Sequence, residues 1–190
     1  SFKEEAAKLM KLHDIIGTVN VFAIFEENNT AYLVMEYLDG CTLAQMLKEK
    51  KIMPVEEALK MIRPVIRSLQ EIHKNNLIHR DITPDNIFIT KSGELKVLDF
   101  GSARYSALAQ NKSISVIVKQ GYAPPEQYQL YKDQGSWTDV YSLAATIYKM
   151  ITGKVPEDSI TRMVKDTLEA PSALGITIIK SQENALQIGR

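Results

Sequence analysis

The stretch "TDVYSLAATIYKMITG", positions 138–153, constrains the architecture most. It predicts a helix that is apolar on nearly every side, and such a helix must be surrounded by other elements. Gly153 is expected to stop it and Pro156 to start another. Residues 2–12 place Phe2, Ala6, Leu9 and Leu12 at helical spacing. "TVNVFAIFEENNTAYLVMEYL" reads as two strands joined at Glu27, Asn28 and Asn29. "DGCTLAQMLKEK" opens a short helix after Gly40, with Thr42 as its cap. A longer helix begins at Pro54 and keeps Leu59, Ile62, Ile66, Leu69 and Ile72 on one face. Pro64 removes a backbone donor there and is expected to interrupt and kink it. "NIFIT" and "ELKVLDF" are short strands around the turn Lys91-Ser92-Gly93, and positions 101–120 show little periodicity. Strands come early and helices later, which predicts an α+β fold with segregated layers.

At 190 residues the chain has the length to bury a substantial core. Its 45% apolar and 24% charged content is that of a soluble globular protein. Lys plus Arg and Asp plus Glu both number 23, a balance that recruits neither nucleic acid nor an anionic membrane. The single cysteine, Cys41, forms no disulfide within the chain and fits a reducing compartment. No apolar run reaches the roughly 18 residues of a membrane span. The opening "SFKEEAAKLMKL" is neither a signal nor a transit peptide, so a cytoplasmic location is expected.

The chemistry is concentrated in "LIHRDITPDNIFIT", positions 77–90. A histidine, an arginine and two aspartates precede Asn86, and an apolar strand follows at once. Three further stretches belong with it: "LDFGSAR" at 98–104, "GYAPPEQY" at 121–128 and "WTDVYSLA" at 137–144. In order and spacing these four resemble the protein-kinase family over essentially the whole chain. The likeness is strongest to bacterial Ser/Thr kinases whose catalytic loop reads "RDISPDN". It implies a bilobal kinase-like fold. Residues 1–38 would be part of the small lobe, ending in the hinge, and 39–190 the helical large lobe, truncated before its final helices.

The resemblance also implies roles. Asp81 accepts or orients the proton of the attacking hydroxyl, and Asn86 and Asp99 are hard oxygen ligands for Mg²⁺. Phe100 and Gly101 support Asp99. His79 is structural, in a column with Phe100, Leu9 and Val21. Asp139 either caps its helix or accepts backbone hydrogen bonds from the catalytic loop. Met35 is the gatekeeper, the backbone at Glu36 and Leu38 bonds the adenine edge of ATP, and Phe88 floors the pocket. Glu5 matches the helix glutamate that pairs with the ATP-anchoring lysine. Ser106, Ser113 and Ser115 are candidate phosphorylation sites that Arg80 helps to read. The implied partners are ATP, Mg²⁺ and a protein substrate presenting Ser or Thr.

The chain departs from the family in three places. None of the nine glycines forms G-x-G-x-x-G, and no lysine-bearing strand precedes Glu5. The chain is therefore expected to be an inactive fragment. Thr83 stands where many members have a lysine on the transferred phosphate, and Lys119 stands where they have a threonine beside the catalytic aspartate. A lysine at 119 would reach the same phosphate through space, or else face solvent. Two other classes fit the sequence less well. A pseudokinase scaffold has no need to keep Asp81, Asn86 and Asp99 together. Small-molecule kinases lack the "DFG" and "PPE" words found here.

Overall fold

The computed structural model describes residues 15–28, 30–98, 118–128 and 133–187, apart from the side chain of Ala31. The expected helix over residues 2–12, and most of the polar stretch at 101–120, lie outside these residues. Strands β1 (Val21–Glu27) and β2 (Thr30–Met35) form an antiparallel hairpin. The register shifts between Val21 and Ala23, the signature of a bulge at Phe22. A second antiparallel sheet runs in the order β3 (Gly40–Thr42), β4 (Ile87–Thr90) and β5 (Leu95–Val97). The helices are α1 (Leu43–Lys50), α2 (Val55–Lys74), α3 (Ser136–Thr152), α4 (Ser159–Val164) and α5 (Lys180–Leu186). The outcome is the α+β class expected.

Two elements correct the sequence reading. α2 runs without a break through Pro64. The ring sits on the exposed face, while Ile62 and Val65 on either side are buried in the core and hold the helix across the lost bond. α4 begins at Ser159 rather than at Pro156, because Asp158 supplies a cap that proline cannot. Its carboxylate accepts the amides of Ile160 and Thr161, both at 3.1 Å. The other ends follow expectation. Thr42 and Gln45 form a reciprocal capping box on α1, and Gly153 closes α3 in the left-handed region at φ +72°.

The core lies between α2, α3 and the three-stranded sheet. Leu43, Ile62, Val65, Ile72, Ile82, Ile87, Val97, Met150 and Ile151 are all buried in it. α3 is buried along nearly its whole length, as its all-round apolar character requires. The loop ahead of β1 is tied down on two sides. Val97 donates to Gly17 O at 2.8 Å and Val19 donates to Val97 O at 3.1 Å, a short parallel pairing. Ser68 Oγ of α2 donates to Ile16 O at 3.0 Å. Gly17 is the residue this docking demands: its φ is +86°, and a Cβ there would lie 2.2 Å from Ser68 Oγ.

Candidate active site

The loop 79–86 is suspended between three elements. From below, the fully buried Asp139 of α3 accepts the amides of His79 at 2.9 Å and Arg80 at 2.7 Å. It also bonds His73 Nε2 of α2 at 2.7 Å. Asp139 thus receives the loop backbone instead of capping its own helix. Thr146, two turns further along α3, donates to Ile82 O at 3.1 Å. These bonds hold Arg80 at φ +69°, a conformation a non-glycine residue adopts only under constraint.

His79 joins this loop to the end of β5. Its Nδ1 accepts the Asp81 amide at 3.2 Å, so its Nε2 carries the proton and donates to Leu98 O at 2.7 Å. Leu98 in turn donates its amide to Asn86 O at 2.8 Å. The ring is fully buried and works as a structural strut, as expected of it. Of its expected neighbours, Leu9 and Phe100 lie outside the described residues, as do Asp99, Gly101 and Glu5 and the three activation-segment serines. Asp99 nonetheless follows directly on Leu98, whose backbone is clamped on both sides.

Asp81 and Asn86 meet. Asn86 Nδ2 donates to Asp81 Oδ2 at 2.7 Å and to Asp81 O at 2.9 Å. The turn Pro84–Asn86 brings them together, and the buried Thr83 and Pro84 anchor it. With its nitrogen committed twice to Asp81, the amide of Asn86 has a set orientation, and its oxygen is the atom left to serve a hard cation. An amide oxygen is a ligand type compatible with a hard cation such as Mg²⁺, and Asp99, the second ligand that the resemblance implies, lies outside the described residues.

The segment 119–128 lies against the same loop. Gln127 Nε2 donates to Arg80 O at 2.7 Å, a contact the sequence reading missed although Gln127 adjoins "PPE". Ser142 and Ser159 donate to Tyr122 O and Ala123 O, both at 2.8 Å. Thr138 Oγ1 donates to Glu126 Oε1 at 2.9 Å. Lys119 Nζ reaches Thr83 Oγ1 at 3.1 Å and Asp85 Oδ2 at 2.8 Å. Burial, together with the nearby Asp85 carboxylate, pushes the Tyr122 phenol up to about 12.

After β2 the chain passes Met35, Glu36 and Leu38. Met35 pairs with Val21 and is partly exposed, while Leu38 is half-buried. Glu36 donates its amide to Asn20 O at 2.9 Å. Its carboxylate accepts Lys96 Nζ at 2.5 Å and the Asn20 amide at 2.9 Å. Burial alone would raise the Glu36 carboxyl, but Lys96 and Asn20 outweigh it and hold it below its ordinary value. Lys96 sits on β5 opposite the half-buried Phe88, so this ion pair ties the segment after β2 to the strand pair carrying Phe88. Neither Lys96 nor Asn20 was singled out from sequence.

The family described as protein kinase domain matches residues 2–187. The chain belongs to the protein kinase family. It is 36% identical to a probable serine/threonine-protein kinase of Clostridium perfringens, over 96% of this chain and 28% of that protein. It is 34% identical to the serine/threonine-protein kinase PknL of Mycobacterium tuberculosis, over 82% of this chain and 39% of that protein. For the serine/threonine-protein kinase PrkC of Bacillus subtilis the values are 32%, 83% and 24%. The chain thus spans 24% to 39% of the length of these relatives. Among solved structures, the apo form of PpkA-294 superposes with a TM-score of 0.79 at 31% identity, covering 98% of this chain and 66% of that one. The fold is kinase-like.

Proposed function

We propose that this chain is the core of an ATP- and Mg²⁺-dependent Ser/Thr protein kinase domain. The observation that carries the reading is the locked pair of Asp81 and Asn86, fixed to the clamped Leu98 that precedes Asp99. Phosphoryl transfer asks a protein mainly to position groups and offset charge. Asp81 orients a Ser or Thr hydroxyl and takes up its proton as the new O–P bond forms and the bond from the γ-phosphorus to the bridging oxygen of ATP breaks, releasing ADP. Asn86 keeps Asp81 in place and, with Asp99, offers oxygens to the metal. Bound Mg²⁺ supplies charge neutralisation at the phosphates. The Glu36 and Leu38 backbone, with Met35 and Phe88 around it, forms the adenine end, and residues 1–38 and 39–190 act as parts of the two lobes. Glu5 would serve the ATP-anchoring lysine.

The division of roles is testable in the full-length protein. Asp99→Ala should weaken Mg·ATP binding by titration calorimetry and leave metal-free nucleotide binding little changed. Equal loss in both conditions would contradict a metal role. The 190 residues hold no G-x-G-x-x-G, so this polypeptide by itself is expected to transfer little phosphate. Robust phosphorylation of a generic protein substrate by the purified polypeptide would overturn that expectation.

A further inference from the structure

Between Asp81 and Asn86 the loop carries no basic side chain. Among the described residues, Lys119 brings a cation to this turn from another part of the chain, in addition to Arg80 just ahead of Asp81. Lys119 Nζ lies 3.1 Å from Thr83 Oγ1 and 2.8 Å from Asp85 Oδ2, so it contacts the turn that holds Asp81 and Asn86 together. Its two ends are held very differently. The Lys119 carbonyl accepts the amides of Tyr122 at 3.0 Å and Ala123 at 3.1 Å, and Ser142, Ser159 and Gln127 fix the segment that follows. The ammonium itself rests in an exposed pair with Asp85, whose side chain is 62% accessible. Such pairs are worth about 0–1 kcal/mol, so the tip is held weakly on a rigid base.

We infer that Lys119 is the lysine that contacts the transferring phosphoryl group, delivered from the 119–128 segment and kept beside the loop by Thr83 and Asp85. The inference rests on the phosphotransfer reading above. Charge spreads over the equatorial oxygens as transfer proceeds, and a cation on a fixed base beside the turn of Asp81 and Asn86 can swing onto those oxygens and stabilise that charge. Asp85 is a resting partner for the ammonium. Moving from Asp85 to a phosphoryl oxygen exchanges a weak, solvent-exposed ion pair for one with a group of higher negative charge.

The test uses the full-length protein with two readouts. In steady-state kinetics Lys119→Ala should lower kcat at least about tenfold, equivalent to about 1.4 kcal/mol, with KM for ATP nearly unchanged. Thr83→Lys added to it should restore part of kcat, because the introduced lysine reaches the same phosphate. The second readout needs no turnover. An acyl phosphate of ATP acylates an amine near its terminal phosphate, forming an amide and releasing ATP. Mass spectrometry should find Lys119 acylated, and excess ATP should block the labelling. Unchanged kcat in Lys119→Ala, or ATP-protected labelling of the unmodified protein confined to other lysines, overturns this inference and leaves the kinase reading standing. Absence of both phosphate transfer and ATP-protected labelling in the unmodified protein overturns the two together.

Discussion

The Asp139 carboxylate accepts the Arg80 amide at 2.7 Å across 59 residues of sequence. It is fully buried, and it holds Arg80 in a left-handed conformation one residue before Asp81. Non-glycine residues in that region cost on the order of 1–3 kcal/mol, so the conformation persists only because the surroundings impose it. The helix that organises the core therefore also sets the geometry of the loop carrying the proposed chemistry.

Asp139→Ala would leave the amides of His79 and Arg80, and His73 Nε2, without their acceptor. An unsatisfied buried donor costs roughly 1–3 kcal/mol, and the His79 bond is buried while those of Arg80 and His73 are partly so, so a loss of about 2 kcal/mol or more is expected. Asp139→Asn retains one acceptor oxygen and should fall in between. Urea denaturation measures both. A loss below about 0.5 kcal/mol for the alanine variant, the range of an ordinary surface change, would show that the loop does not depend on Asp139.

Gly17→Ala probes how the loop before β1 docks on α2. The added Cβ meets Ser68 Oγ at 2.2 Å on a backbone with φ +86°. We expect about 2 kcal/mol or more of destabilisation from strain and displacement of the serine. Combining it with Ser68→Ala relieves the clash but not the φ, so the double variant should recover only part of the loss. Thermal melts of the three variants decide this. Full recovery would mean that sterics alone matter at position 17.

The Glu36–Lys96 pair carries a pH dependence with a definite sign. The folded-state carboxyl is held below its ordinary value of 4.5, so the stability it adds is fully present above that value. That stability is lost as pH falls from 4.5 through the lower folded-state value. Glu36→Gln lacks the contribution at every pH. The wild type should therefore exceed the variant by about 1 kcal/mol above pH 5, the upper range for a partly exposed pair, and the gap should close in acid. A gap unchanged down to about pH 3 would remove the charge from the explanation.

Much of this architecture was legible because its signals are local. The all-round apolar pattern at 138–153 marks a buried helix, Thr42 with Gln45 marks a cap, and Gly153 marks a stop. The motif words also marked Asp81, Asn86 and Asp139. What escaped depends on partners distant in sequence. β3 is three residues long, too short to show alternation, and exists by pairing with β4. Ser142 and Thr146 read as neutral positions in an apolar helix, yet with Asp139 they form a polar stripe at spacings of three and four, aimed at the loop and the 119–128 segment. Lys96 reads as an outward strand residue, and its partner Glu36 lies 60 residues away. The interruption expected at Pro64 does not occur, because the rule for a lone helix ignores the tertiary burial on both sides of it.

The most direct measurement pairs two quantities in one protein: the rate of γ-phosphate transfer to Ser or Thr, and the affinity for Mg·ATP, in full-length wild type and in Asp81→Asn. Asn86 bonds the Asp81 carboxylate at 2.7 Å, and an amide at 81 still fills that space but takes up no proton. The account predicts that the variant loses nearly all transfer, by about a hundredfold or more, while nucleotide affinity stays within about threefold, because the side chain acts on the hydroxyl and not on the nucleotide. A variant that keeps its transfer rate, or one that loses rate and affinity in equal measure, would contradict the role assigned to Asp81.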